Sequence, residues 1–474
     1  VTDQPPPAQP EGEDRDDRLD YDDEREPVDE PEPLLRYPTP EDLAPPSRRA
    51  IMWAGIGGVV AIAAAVAATA ALSSSSSAPS ASPSRAAATT PAPTPTTTVA
   101  ALPNSGAPAM ESVPEAVASF GPNGTHWPSD TPWITGTVDV ELQVPCTWAA
   151  ISAAITQIVQ NTPAEATARI LVAPGILPGA GAASGSAATL RDVGSLDRAT
   201  RILVYPRDGY GTVTVEGSWR WARVFGVAFG GIVTRGGFMA TGCSGSAFAR
   251  IKVDAAHNVY GADGVEYTEN IELVEVVVPA AQLRNEDVSG MRTPTDGTGS
   301  LRQVTRIACY TAPGYMEAGS SAHTDTVQFS GQNNNYYGEF TSIDCIDFAS
   351  TNTAFQIGSA PSVRFEHCLV VGGSVGKAVH PLPDGADTGG SHSAVNGPGE
   401  SYGCTAFDST FIGAMGDATW AEVRRSRVGY VSSGAAPRSG RWTVDGGILD
   451  WSAERIRDLS PTPDDAYLAS IWGP

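Results

Sequence analysis

Beyond residue 125 the apolar positions come in short bursts, not in long helical stripes. One phrase recurs: D-G-V-E at residues 263–266, D-T-V-Q at 325–328, T-A-F-Q at 353–356 and K-A-V-H at 377–380. A second phrase follows in most units, an apolar residue, two variable ones and a small residue or Cys. It reads F-E-H-C at 365–368, F-D-S-T at 407–410, V-R-R-S at 423–426 and V-D-G-G at 444–447. The tightest unit, residues 353–376, has no room for a helix. Units with one inward apolar residue per short strand cannot bury a core alone, so they must stack on one another. Val265, Val327, Phe355, Val379, Phe365, Phe407 and Val444 are then expected to point into one continuous core. Their polar neighbours are expected to point outward.

The segment before the repeats has a different period. Trp148, Ile151, Ile155, Ile158 and Val159 lie at helical spacing within residues 146–160. A strand ending in a glycine turn follows, R-I-L-V-A-P-G at 169–175. It is echoed by R-I-L-V-Y-P-R-D-G-Y-G at 201–211. The phrases and this entry resemble the coils of right-handed parallel β-helix proteins of the pectin-lyase-like superfamily. The resemblance covers roughly residues 130–474. It implies an all-β solenoid whose first coil is capped by a short amphipathic helix, which would cover an edge otherwise open to other strands. A β-sandwich is the alternative. Against it, the phrases are mutually similar, and N-G or D-G hairpin signals are sparse.

Upstream, the pattern is that of an anchored exported protein. Residues 1–49 are acidic and proline-rich and end in Arg48 and Arg49; such a segment buries too little apolar surface to order itself. Residues 50–72 carry no charge, and about 20 apolar residues cross a bilayer. The arginines before this run set the N-terminus in the cytoplasm and the rest outside. A cleaved signal peptide is the rival reading; the long run and its long acidic leader favour a signal anchor. Residues 73–125 are rich in Ser, Thr, Pro and Ala and read as an extended stalk, about 3.1 Å per residue where proline dominates. Residues 126–474 form the expected β-helix ectodomain, at the surface of the cell membrane. Only Lys252 and Lys377 are lysines among 30 basic residues, a bias expected of a GC-rich bacterial genome.

The net charge is −23, and no basic stripe interrupts the ectodomain, which argues against nucleic acid as a partner. The six cysteines, Cys146, Cys243, Cys309, Cys345, Cys368 and Cys404, contain no C-x-x-C pair, so a zinc site is disfavoured. Two readings of them stay open. They stack as small inward residues, or neighbouring coils are bridged, with Cys345 and Cys368 the nearest pair.

Candidate chemistry follows from stacking the first phrase. Asp263, Glu266, Asp325, Gln328, Gln356, Lys377 and His380 would align along one outer groove, where amides and carboxylates suit sugar hydroxyls. The densest point is S-S-A-H-T-D-T-V-Q. His323 and Asp325 are two apart, hence on one face of a strand, and suit an oriented acid/base pair. Tyr336 and Tyr337 are expected to offer rings for stacking on sugars. The insertion at 381–402, with Asp384, Asp387, His392 and Glu400, is expected to wall the groove. The resemblance implies a polysaccharide lyase or hydrolase. It directs the search to Arg302, Arg306, Arg364 and Lys377 as bases and to Asp263, Asp325 and Asp347 as calcium ligands. Hydrolysis needs two carboxylates about 5 to 9.5 Å apart, and Asp325 with Asp347 is the pair to test. No family catalytic motif matches residue by residue. A non-catalytic glycan-binding module and a rigid envelope scaffold remain the alternatives. Each polar group also has a purely structural use: Asp325 as a turn cap, His323 on a backbone carbonyl, Gln328 and Gln356 as an amide ladder.

Overall fold

The computed structural model describes residues 136–180, 188–294, 299–331, 339–358, 362–390, 393–397, 402–416, 418–432 and 435–473. The acidic tail, anchor and stalk lie outside these residues, as do Tyr336, Tyr337, His392 and Glu400. Among the described residues no helix is long and apolar enough to cross a membrane.

Among the described residues one sheet of 28 strands, paired in parallel, makes up the body of the fold. Equivalent residues pair coil after coil, as in Val140, Ala168, Ile202 and Val227. This is the stacking of a parallel β-helix. From the middle of the chain onward each coil contributes to three walls. The first contains His257–Tyr260, Ser289–Arg292, Asp325–Ser330, Thr353–Ile357 and Ser393–Asn396. The second contains Ser300–Ile307, Phe340–Ile343, Val363–Glu366, Tyr402–Phe407 and Thr419–Arg424. The third contains Tyr310–Thr311, Ile346–Phe348, Leu369–Val371, Thr410–Met415 and Arg427–Val431.

A single left-handed residue makes the corner between the second and third walls. Arg250, Glu275, Ala308, Asp344, His367, Asp408 and Arg425 all have φ between 48° and 53°. This conformation is costly for a residue with a Cβ, and here stacked side chains offset it in pairs. Arg250 Nε is 2.9 Å from Glu275 Oε2, His367 Nδ1 is 2.5 Å from Asp344 Oδ1, and Arg425 Nε is 2.5 Å from Asp408 Oδ1. The next residue on each coil points inward, giving the column Cys309, Cys345, Cys368, Ser409 and Ser426. There Cys309 N donates to Cys345 Sγ at 3.4 Å, Cys368 N to Ser409 Oγ at 3.0 Å and Ser409 N to Ser426 Oγ at 3.1 Å. The six cysteines are free thiols. Of the two readings, stacked small residues is the one that holds: Cys345 and Cys368 are column neighbours and carry no bridge.

Helix α1, Trp148–Asn161, follows the first strand, Val140–Val144. Thr147 caps it by accepting from Ala150 N, and Ile151, Ala154, Ile155 and Ile158 are buried. That face packs into the core at the first coils, as the helical spacing predicts. At the other end the chain runs back over the outside of the third wall. Helices α2 (Gly373–Val379), α3 (Ala453–Leu459) and α4 (Asp465–Trp472) cover an outward apolar stripe that includes Val277, Tyr310, Ile346, Phe348, Leu369, Val371 and Ile412. Trp472 reaches Tyr210 at a ring separation of 4.7 Å, and Asp465 meets Lys252 at 2.6 Å.

Val327, Phe355 and Phe365 lie in the core, as the repeat predicts. Six expectations fail. The unit at 353–376 does hold the start of a helix, since α2 begins at Gly373. Asp325, expected on the outer groove, is fully buried on the strand face of Val327. Residues 263–266 form a turn before a strand, and Val265 is half-buried. The phrase at 377–380 ends α2 and belongs to no strand, so Val379 packs in the outer apolar stripe instead of the core. Phe407 pairs with Glu366, while Ala406 takes the inward place opposite Phe365; the phrase is off by one residue, and such a slip turns every side chain to the other face. Val444 is 62 % exposed because the stack ends there.

Candidate functional site

The first wall presents an outward row of Arg220, Met239, Asn258, Gly290, Gln328, Gln356 and Asn396. Asn258 Oδ1 accepts from Gly290 N at 2.7 Å. A Cβ on Gly290 would lie 2.7 Å from that same oxygen and 3.1 Å from the Tyr260 hydroxyl. Glycine is what lets Tyr260 fold down over the row, with the Arg292 guanidinium 5.2 Å from its ring. Further along, Asn396 Nδ2 donates to Gln356 Oε1 at 2.9 Å. The Gln328 amide, half-buried and outward, makes no hydrogen bond among the described residues.

At the start of this wall the chain turns, and polar side chains converge. Asp325 is the first residue of its strand and stacks on Thr353. Its backbone N donates to Asp287 Oδ1 at 3.0 Å, and Val288 N donates to Asp325 O at 3.0 Å. The next coil supplies Asn352 from the turn before Thr353. Asn352 Nδ2 lies 2.7 Å from Asp325 Oδ1, 2.8 Å from His323 Nε2 and 3.5 Å from Gln356 Oε1. With Nε2 accepting from this amide, the imidazole proton sits on Nδ1. Nδ1 is 3.0 Å from Asp325 Oδ2. The approach misses hydrogen-bond geometry, so Oδ2 has no hydrogen-bond partner among the described residues.

Burial separates the roles. The His323 side chain is 53 % exposed and that of Asp325 is fully buried. Burial pushes the Asp325 carboxyl up to about 8; Asn352 opposes this and the Asp287 charge adds to it. Burial also raises Asp287, against the hydrogen bond from Asp325 N and the charge of Arg292. A solvent-facing imidazole thus rests on a buried carboxylic acid that keeps its proton at neutral pH, with a second carboxylate one coil away.

The insertion at 381–402 borders this corner. Asp387 N donates to Met316 O and Ala318 N to Gly385 O, each at 2.8 Å. The Gly390 α-carbon lies so close to Thr351 that a Cβ would meet the Thr351 carbonyl oxygen.

Several expected members lie elsewhere. Asp347 is fully buried in the lumen, bidentate to Arg306, at 2.6 Å from Nη2 and 3.1 Å from Nη1. It is no partner for Asp325. Lys377 lies on α2 and donates to Thr388 O at 3.1 Å and Gly389 O at 3.4 Å, so it ties down the insertion. His380 is buried, with Nε2 2.8 Å from the Tyr310 hydroxyl, and burial pushes it down to about 4. Asp263 and Glu266 are exposed in the turn before Tyr267 and outside the row. The expected calcium ligands Asp263, Asp325 and Asp347 therefore stand in three separate settings. Among the described residues no group of three or more His, Cys, Asp or Glu is arranged to hold a metal. Arg302 pairs with Glu269 at 2.5 Å and covers the Tyr267 ring at 3.8 Å, while Arg364 pairs with Glu366.

Asn352 and Asp287 are the members that the sequence reading missed. Asn352 lies next to T-A-F-Q, in the turn that the repeat brackets. Asp287 stands two residues before Ser289, which pairs with Val327. Aligning S-G-M-R at residues 289–292 as a further coil would have stacked Asp287 on Asp325.

No protein-family model matches the chain, and no curated protein matches it. Among solved structures, a crystallised pectate lyase is similar at 14 % identity and a TM-score of 0.38, over 65 % of this chain and 78 % of that one. A mannuronic acid specific polysaccharide family 6 lyase from human gut microbiota is similar at 10 % identity and a TM-score of 0.21, over 70 % of this chain and 98 % of that one. Likeness at this level leaves the activity to be argued from the site.

Proposed function

We propose that this protein is a cell-surface β-helix that binds or cleaves a polysaccharide at the corner formed by His323, Asp325 and Asn352 and along the adjoining Gln328 and Gln356 row. The observation that carries this reading is the exposed imidazole held against a buried carboxyl beside the outward Gln328 amide, which has no hydrogen-bond partner among the described residues. A primary amide both donates and accepts, which suits sugar hydroxyls. The imidazole is the group that meets the chain. In a cleavage step Nε2 leaves the Asn352 amide and takes a proton from the sugar or from water. The imidazolium holds that proton until it passes to the leaving oxygen, and its Nδ1 stays 3.0 Å from Asp325 Oδ2. Asp325 is a positioning residue, since its carboxyl is out of solvent. Elimination and hydrolysis both begin with such a proton transfer.

The test is a panel of neutral and acidic polysaccharides, assayed for binding and for new reducing ends or unsaturated products. His323→Ala should abolish turnover and leave binding largely intact. Gln328→Ala should weaken binding. Asp325→Asn should lower turnover without a large loss of stability. Unchanged turnover in His323→Ala would remove the imidazole from the reaction.

One observation favours a second reading. Asn396, Gln356 and Asn352 already bond to one another, which is how a stacked amide ladder supports a rigid scaffold or a passive glycan-binding face. A panel on which the wild-type protein binds nothing would favour the scaffold.

The anchored topology belongs to the same proposal and rests on the uncharged run at 50–72 after Arg48 and Arg49. Protease treatment of intact cells should release the β-helix and spare the acidic tail. A soluble secreted form that begins after the apolar run would overturn the anchor.

A further inference from the structure

The lumen changes character midway along the stack. Towards the N-terminal coils Trp219, Trp221, Phe238 and Phe248 pack ring on ring. Towards the C-terminal coils Phe355, Phe365, Phe411 and Trp420 do the same. Between them each of the three walls turns polar residues inward beside apolar ones such as Val259, Met291 and Val304. Ser289, Arg306 and Thr311 share one coil, His257 pairs with Ser289 from the coil before, and Ser342 and Asp347 pair with Arg306 and Thr311 from the coil after. All six are fully buried.

Part of this layer is internally satisfied. Arg306 gives Nη1 and Nη2 to Asp347, and Nη2 also to Thr311 Oγ1 at 2.8 Å. The rest is not. Arg306 Nε, both ring nitrogens of His257 and Ser289 Oγ have no hydrogen-bond partner among the described residues. Folded proteins leave few buried polar atoms in this state without solvent. Small residues face them from two columns that carry Phe elsewhere, Ser289 in that of Phe355 and Ser342 in that of Phe365, while Phe238 stacks on His257 at 5.7 Å and the Phe355 ring lies 5.9 Å from the Arg306 guanidinium.

Charge selects the occupant. Arg306 and Asp347 cancel. Burial, helped by the Arg306 charge, pushes His257 down to about 3, so the ring is neutral. An added anion or cation would leave net charge in a low-dielectric lumen. A neutral imidazole needs one donor and one acceptor, Arg306 Nε needs an acceptor, and a serine hydroxyl takes either. Only a small neutral molecule that donates and accepts meets all of these.

We propose that this layer is a built hydration site, in which ordered water bridges His257, Ser289 and Arg306 Nε inside the β-helix. It is independent of the glycan reading. Diffraction from crystals of the full-length protein, with and without pressurised xenon, tests it. The expected result is solvent density within about 2.7–3.2 Å of at least two of these atoms, with no xenon there. A dry layer, xenon occupancy, or His257 and Ser289 paired to protein groups would overturn it. A second measurement needs no crystal. With histidine-selective labelling, the His257 ring N–H should show a cross-peak to a long-lived water that is lost in His257→Phe. No such cross-peak in the wild-type protein would overturn it as well.

Discussion

Removing the Asp347 carboxylate should destabilise the β-helix without touching a glycan site. Asp347 and Arg306 are both fully buried and bidentate. Burial pushes Asp347 up, and the guanidinium 2.6 Å away opposes it. Burial pulls Arg306 down, but Asp347 more than restores it, and the net direction is upward. Fork-on-fork geometry is that of an ionised pair. In Asp347→Ala the guanidinium keeps Thr311 and loses its counter-charge in a medium that cannot hydrate it. Breaking such a pair costs about 3–5 kcal/mol. Replacing both partners with apolar residues of similar volume removes the desolvation penalty along with the attraction. Arg306→Met with Asp347→Leu should therefore fall within about 1 kcal/mol of wild type, or be more stable. Urea unfolding of the full-length protein measures both, through midpoint shifts at constant slope. The expected coupling between the two positions is about 3 kcal/mol or more, above the 0.5–3 kcal/mol usual for neighbours. The reasoning fails if Asp347→Ala unfolds within about 1 kcal/mol of wild type, or if the double variant is as damaged as the single one. Lost polysaccharide turnover with stability intact would return Asp347 to the active site.

Phe365→Ala removes a fully buried ring that packs 4.9 Å from Phe355 and 5.3 Å from Phe411, and should cost about 3–5 kcal/mol in the same urea assay. A pH dependence of stability follows from Glu275, which burial raises to about 7 against the opposing Arg250. The folded state then binds more protons than the unfolded chain between the ordinary glutamate value and about 7, so stability falls as pH rises through that window. A shift of this size is worth on the order of 3 kcal/mol; Glu275→Gln should flatten the slope, and an unchanged slope in chemical unfolding against pH would disprove the assignment. Asp325, raised to about 8, gives the same sign at the candidate site: its contribution to stability falls as pH rises from the ordinary aspartate range towards 8. Asp325→Asn should remove that part of the pH dependence of chemical unfolding, and an unchanged slope would refute the assignment.

The repeat phrases determined the architecture. One apolar residue per short strand, unit after unit, leaves stacking as the way to bury a core. Val327, Phe355 and Phe365 lie in that core, and α1 lies over the first coils where its spacing predicts. Gln328 and Gln356 stack in register on the outward row, as coil alignment predicts. His323 stands just before the strand, and Asp325, expected outward, is buried on the strand face of Val327. What remained hidden depends on which coil meets which. K-A-V-H has the letters of a strand phrase, but Val375 and Val379 bury better as a helix against the apolar stripe of the third wall. Asp347 reads as a polar strand residue, yet its side chain turns into the lumen because Ile346 and Phe348 face that same outer stripe. Asn352 and Asp287 join the site from neighbouring coils, through contacts 27 and 38 residues apart in the chain. Periodicity is a local property and survives in the sequence. The choice of inward or outward face, and the partner of each buried charge, is made by neighbouring coils and exists only once they have stacked.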